Sequence, residues 1–237
     1  MRNAAIIFTM LVLIWACQRD QSVYVNSAFA AQFHEPRIVY PSDNLPTPMR
    51  VELGKYLFYN PAMSLDSSVS CASCHMPEFA FTDNRALGIG NDKQLGNTNS
   101  PSLSNIGYNP YFTRAGGVPS LEIQVLVPIQ EHNEFNNNLI DITERLKNDV
   151  YFVAMAKKTY PNKPLYFAIT ASIAAFERTF VSKKSKFDKY LEGKKALSIN
   201  ELKGMQLFFS NQTNCSKCHS GFNFTNYQFE NNGAANI

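Results

Sequence analysis

Two pentapeptides carry a spacing that points to one chemistry. Cys71-Ala72-Ser73-Cys74-His75 and Cys215-Ser216-Lys217-Cys218-His219 both read C-x-x-C-H. Two thiols one helical turn apart can form thioethers to the two vinyl groups of a single porphyrin. The His that follows then lies under the ring and offers iron a nitrogen. This is the attachment motif of c-type haem. A zinc ribbon would set its two Cys pairs about 15–20 residues apart, whereas Cys71 and Cys215 stand 144 positions apart. A redox dithiol asks for a βαβ setting that the pattern lacks. A structural disulfide is the remaining alternative. Two copies, each ending in His, predict two covalently bound haem c groups. Cys71, Cys74 and His75 hold one, Cys215, Cys218 and His219 the other, with His75 and His219 as iron ligands.

The chain has four histidines, and the other two are His34 and His132. A carrier with two bis-His irons would consume all four. His34 lies in a polar stretch and reads as solvated, His132 as a surface or supporting residue.

Composition limits the rest. Of 237 residues, 45% are hydrophobic and 17% charged, which excludes a disordered chain and a coiled coil. The net charge of +3, from 22 basic and 19 acidic side chains, leaves no basic footprint for nucleic acid. Arg2 followed by the apolar run Ala4–Ala16 is too short to span a bilayer and reads as a secretory signal. Its end, Leu13-Ile14-Trp15-Ala16-Cys17, is similar to a bacterial lipobox, in which the Cys becomes lipidated. The other reading is a plain signal cut after Ala28-Phe29-Ala30. Either way the expected place is the periplasm or cell envelope, and under the lipobox reading the only membrane contact is a lipid anchor on Cys17.

The elements that must position the motifs follow from periodicity and punctuation. Thr47-Pro48 supplies an N-cap and first helical residue, with Leu53, Tyr56 and Leu57 at helical spacing behind it. Asp141–Lys158 has helical periodicity, and Leu165–Phe180 sets Ile169, Ile173, Phe176 and Phe180 on one face. Ser198 and Glu201 form a capping box that opens a helix through Phe208. Leu121–Ile129 is a short apolar element closed by Pro128, and 82–118 reads as long loops. A weak repeat places Glu52-Leu53-Gly54 through Phe58 before the first motif, and Glu201-Leu202 through Phe209 before the second. The fold class is mainly α with long loops, and the repeat suggests two related units, each a helix leading into a Cys pair.

Several segments then carry a resemblance. They are Leu53-Gly54-Lys55-Tyr56-Leu57-Phe58-Tyr59-Asn60-Pro61, Phe79-Ala80-Phe81-Thr82-Asp83, Asn99-Ser100-Pro101-Ser102-Leu103 and Ser120-Leu121-Glu122-Ile123-Gln124. Pro128-Ile129-Gln130-Glu131-His132-Asn133-Glu134-Phe135, Ala174-Ala175-Phe176-Glu177-Arg178-Thr179 and Cys218 through Thr225 continue it. Together they resemble the bacterial di-haem cytochrome c peroxidases and their methylamine-utilisation relatives, over roughly residues 45 to 233. Residues 1–17 read as the signal and the polar, Pro-containing 18–46 as a tether, and the resemblance implies two cytochrome c-like haem domains, a peroxidatic one at 47–190 and the start of an electron-transfer one at 191–237. It implies that Gln124 and Glu134 line the pocket where peroxide binds. From the residues alone Glu134 is a solvated acid in a loop of Asn133 and Asn136–Asn138. Under the resemblance it carries a proton between the two peroxide oxygens. Asn99 matches a calcium-binding position, where the bare sequence gives an ordinary turn residue.

The chain also departs from the family. Asn91 stands where many members carry a His that blocks the peroxidatic iron, so the resemblance implies an iron open without reductive activation. Tyr111-Phe112-Thr113-Arg114 replaces a stretch that usually holds a Trp between the haems. Only 18 residues follow His219, so the second domain is expected to be C-terminally truncated, with Tyr227 the one strong ligand type left in it. The expected function is reduction of hydrogen peroxide to water, with electrons from a small c-type cytochrome or cupredoxin, by a protein that can be a homodimer. The alternative is an electron-transfer di-haem cytochrome c without peroxidase activity. A third reading is oxidation of another protein or small molecule by the same haem pair.

Overall fold

The computed structural model describes residues 25–231. The signal and Cys17 lie outside them. The described residues are helical, with the isolated pairings Met76–Thr82, Ile89–Leu95 and Phe112–Val118 but no longer strand. The mainly α class expected from the sequence holds. No helix among these residues is long and apolar enough to cross a membrane.

The chain divides into two compact units, one of residues 36–182 with 227 onward, the other of residues up to 35 with 183–226. The sequence reading set its boundaries at 46/47 and 190/191 instead. The smaller unit opens with α1 (Ser27–Ala31), which Asn26 caps by accepting from the amides of Ala28 and Phe29. This helix lies in the stretch read as a tether. Its Phe29 packs edge-on against Phe209, and Phe33 is buried against Phe187 and Phe224.

The larger unit begins with α2 (Pro48–Phe58). Thr47 caps it by accepting from Arg50 N, and Pro48 sits at N1, as the sequence predicts. α3 (Cys71–Cys74) is a single turn. α4 (Leu121–Gln124) and α5 (Leu126–Gln130) replace the one apolar element expected there. The cause is Pro128, which has no N–H to give the Gln124 carbonyl, so the helix is cut at Val125. α6 (Leu139–Leu146) and α7 (Val150–Thr159) likewise split the predicted helix 141–158. Asp149 makes the cut by capping α7, accepting from Phe152 N at 3.0 Å.

α8 (Leu165–Glu177) is the central element, buried on almost every side. Leu53, Leu57 and Phe58 of α2 are fully buried with Ile169 and Ile173 of α8. Each such side chain contributes about 1.5–3 kcal/mol. The two helices cross so closely that a Cβ on Gly54 would stand 1.9 Å from the Ser172 carbonyl oxygen. Gly54 is therefore a packing requirement. Its counterpart in the sequence repeat, Gly204, has no atom within 4 Å of its Cβ direction.

The chain then returns to the smaller unit with α9 (Lys186–Leu191) and α10 (Ile199–Phe208), each opened by a capping box, Ser185/Asp188 and Ser198/Glu201. Phe187 of α9 rests on Phe33 and Phe224. Those ring contacts bring α9 into the smaller unit.

Candidate haem and peroxide site

In the larger unit α3 presents both thiols of the first motif from one turn, and His75 follows as its C-cap, donating its backbone N–H to Cys71 O at 2.9 Å. The imidazole is oriented by a turn of the chain behind it. Met76 pairs with Thr82, and Phe81 adopts a left-handed φ of 61°. This aims the Phe81 carbonyl at His75 Nδ1, 2.8 Å away. A carbonyl can only accept, so Nδ1 carries the proton and Nε2 keeps its lone pair for a metal. The Phe81 ring stacks on Phe180 at 3.8 Å and 11°, which fixes the turn to the end of α8. Burial holds His75 below its ordinary pKa, favouring the neutral ring that a ligand must be.

Cys71, Cys74 and His75 wall a large, mainly apolar cavity with Met63, Leu103, Leu121, Phe135 and Ile173. Gln124 and Glu134, far apart in sequence from the motif, line the same cavity. The structure thus brings together the first haem motif and both residues implied to handle peroxide. The buried Oε1 of Gln124 has no hydrogen-bond partner. An orphaned amide oxygen beside two free thiols and a metal-ready imidazole, in an apolar slot, fits a flat prosthetic group with a small polar ligand. The residues present fit a haem attached through Cys71 and Cys74.

Glu134 is an exposed residue that also lines the cavity. Desolvation, followed by the charge of Glu131, still raises it above the usual carboxylate range. Burial pushes both thiols up as well, Cys71 with help from Glu177 and Cys74 with help from Asp83.

Several residues that sequence reasoning missed shape the site. Arg178 grips Glu122 bidentately, at 2.6 Å and 2.9 Å. Asn44 donates to the same carboxylate at 2.7 Å and accepts from Tyr160 OH at 2.9 Å. Burial works against the Glu122 charge, but these donors outweigh it and hold the carboxyl below its ordinary value. The network anchors α4 two residues before Gln124. Arg145 of α6 donates to the carbonyls of Ala62, Ser64 and Leu65 and to Ser67 Oγ, tying down the segment beside Met63. Glu177 is buried in the cavity wall. Desolvation, against the partial relief of Arg178, pushes it up to about 8. The signal for the Phe81 turn was in the sequence. Phe79-Ala80-Phe81-Thr82 after the first motif is repeated by Phe222-Asn223-Phe224-Thr225 after the second.

Asn91 does not face the cavity as a blocking residue would. It is buried, and its Oδ1 accepts from Asp66 N. Asn99 lies on the surface, where Arg114 donates to both its carbonyl oxygens, at 2.9 Å and 2.5 Å. A guanidinium occupies the atoms a calcium ion would need, so the calcium expectation at Asn99 gains no support. Among the described residues no three His, Cys, Asp or Glu side chains gather as a metal site. His132 is exposed and bonds Asn136.

The second motif repeats the arrangement within the smaller unit. Cys215–Lys217 form a 3₁₀ turn, and His219 N bonds Cys215 O. Phe224, with a φ of 52°, accepts from His219 Nδ1 at 3.1 Å. Asn226 pins the following chain to the carbonyls of Cys218 and Lys217. Tyr227 belongs to the larger unit.

The di-haem cytochrome c peroxidase family profile matches residues 48–196. Methylamine utilization protein MauG of Methylorubrum extorquens is 33% identical over 220 residues, covering 90% of this chain and 62% of that protein. Cytochrome c peroxidase Ccp of Escherichia coli K12 is 30% identical, over 92% of this chain and 47% of its own length. Cytochrome c551 peroxidase of Nitrosomonas europaea is 36% identical over 72% and 51%. This chain thus spans about half to three-fifths of these relatives. Among solved structures, a MauG-like protein associated with microbial copper homeostasis superposes with a TM-score of 0.73 at 30% identity, over 79% of this chain and 56% of the other. The diheme peroxidase BthA of Burkholderia thailandensis, at 23% identity and a TM-score of 0.67, shares the fold over 74% of this chain and 50% of its own. From its sequence, its fold and the arrangement of its first haem motif, the chain belongs to the di-haem cytochrome c peroxidase family.

Proposed function

We propose that the protein is a c-type haem peroxidase that reduces hydrogen peroxide to water, taking up two electrons and two protons per peroxide. The observation that carries this reading is the convergence of Cys71, Cys74, His75, Gln124 and Glu134 on one apolar cavity. Cys71 and Cys74 would hold one haem as thioethers, with His75 Nε2 free to ligate its iron, and Cys215, Cys218 and His219 would hold a second. When bound, the haem supplies the iron to which peroxide binds and the redox equivalents of the reaction.

The chain supplies the proton chemistry. The Glu134 carboxylate takes the proton from the inner peroxide oxygen and returns it to the outer one, so that water can leave. Its raised proton affinity suits a group that must hold that proton briefly. The Gln124 amide donates an N–H to the outer oxygen while its Oε1 accepts a proton-bearing partner. The apolar wall keeps bulk water from these transfers. The haem that Cys215, Cys218 and His219 would hold in the smaller unit would supply the redox group for electrons from a small c-type cytochrome or cupredoxin in the periplasm or cell envelope. Anchoring there through a lipid on Cys17 belongs to the same proposal.

Glu134→Gln tests the reading. It keeps the shape of the side chain and removes the base, so haem content should stay at the wild-type level while peroxide turnover falls. Unchanged turnover would return Glu134 to the role of a solvated acid.

A further inference from the structure

The loop that carries Glu134 is held by a second loop, and the contact is closer than side-chain packing allows. A Cβ on Gly90 would stand 2.1 Å from Asn133 O and 2.6 Å from both Glu134 Cα and Glu134 O. No residue but glycine fits there without moving one loop off the other. The next residue fastens the contact. Asn91 N donates to Glu134 O at 2.6 Å. Asn91 Oδ1 accepts from Asp66 N at 3.1 Å. Asp66 follows Leu65, whose N donates to Phe135 O at 2.9 Å. Three segments thus close a ring of hydrogen bonds around the backbone of Glu134. Gly90 lines the cavity wall, and Asn91 is buried behind it.

Resting on the proposed role of Glu134 as the proton carrier, we propose that Gly90 and Asn91 are positioning residues. They form a latch that sets the Glu134 carboxylate at its working place in the cavity. The physical need is plain. Glu134 sits in an exposed polar loop with no helix to fix it, and proton transfer requires heavy atoms within about 2.6–3.2 Å. A misplacement of about 1 Å can cost about a hundredfold.

The experiment uses the haem-loaded protein. Gly90→Ala and Asn91→Ala are made alone and in the Glu134→Gln background, with Asn91→Asp as the conservative variant that keeps the acceptor for Asp66 N. Haem content is measured for each. The readouts are peroxide turnover and, independently of turnover, the rate at which cyanide binds the ferric haem. Hydrogen cyanide must lose its proton to bind, so this rate reads the same base. The latch predicts about a tenfold loss or more in both readouts for Gly90→Ala and Asn91→Ala, no further loss in the Glu134→Gln background, and recovery of most of the loss by Asn91→Asp. Losses that add to that of Glu134→Gln would show a general structural effect and overturn the proposal, as would wild-type rates. If Gly90→Ala fails to load haem, the Asn91 pair decides alone. If Glu134→Gln itself binds cyanide and turns over like wild type, the proton-carrier reading falls, and the latch with it. An impaired Glu134→Gln beside unimpaired latch variants overturns the latch only.

Discussion

At the scale of single residues the site depends on where protons sit. His75 is held in one tautomer by the Phe81 carbonyl, and Glu134 is raised by burial and by Glu131. Glu134→Gln is expected to lower peroxide turnover by ~10²–10⁴-fold, the usual range for a lost general acid–base, with haem content unchanged. Gln124→Ala should cost less, because it removes an orienting amide and leaves the base in place. Parallel steady-state and haem-content measurements check both. Glu177 makes a different prediction. Its folded pKa, about 8, lies above that of an unfolded carboxyl. Its contribution is therefore fully present below the unfolded value of about 4.3 and is lost as pH rises through about 8. Relative to Glu177→Gln, the wild-type protein should lose stability steadily across that window, by at most about 1.4 kcal/mol per pH unit. Denaturant midpoints of the two haem-loaded proteins from pH 5 to 9 would read it. Parallel curves would show that Glu177 is solvated or paired in the loaded cavity.

At the scale of elements, local signals were legible and tertiary ones were not. Thr47-Pro48 and the Ser198/Glu201 box set helix starts where the sequence placed them, because a cap is satisfied by residues within one turn. The long predicted helix at 141–158 broke at Asp149, whose side chain bonds an amide three residues on. That capping signal was present but was outweighed by continuous apolar periodicity. Pro128 was read as an end and acts as a cut one turn earlier. The Glu122–Arg178 pair and the Arg145 clamp, which join residues 56 to 83 positions apart, leave no local pattern. Gly54 was legible as part of a repeat, though its reason, the crossing of α2 and α8, was not. Gly54→Ala should therefore be severe, at about 3 kcal/mol or more, since the clash is with backbone and not with a side chain that can turn. Chemical denaturation of the loaded protein checks this, and a loss under about 1 kcal/mol would mean that the helices can separate cheaply.

At the scale of the whole molecule, two haem motifs sit in two compact units, each with a His oriented by a left-handed Phe carbonyl. The repetition of that turn, at Phe81 and Phe224, is why both motifs are expected to load. Intact mass of the protein matured with the haem-attachment machinery should show two haem additions. Cys71→Ala/Cys74→Ala and Cys215→Ala/Cys218→Ala should each remove one, and the second pair should leave the cyanide-binding haem in place. The proposed peroxidase needs an iron with an open face in the cavity of the larger unit. No His lies in the loop from Gly88 to Leu95, and Asn91 is committed to Asp66 and Glu134. The optical spectrum of the fully oxidised protein, before and after cyanide, tests that most directly. A high-spin component that cyanide converts to low spin is the expected result. A ferric spectrum that is wholly low-spin and unchanged by cyanide would mean that both irons are six-coordinate and the protein is an electron carrier.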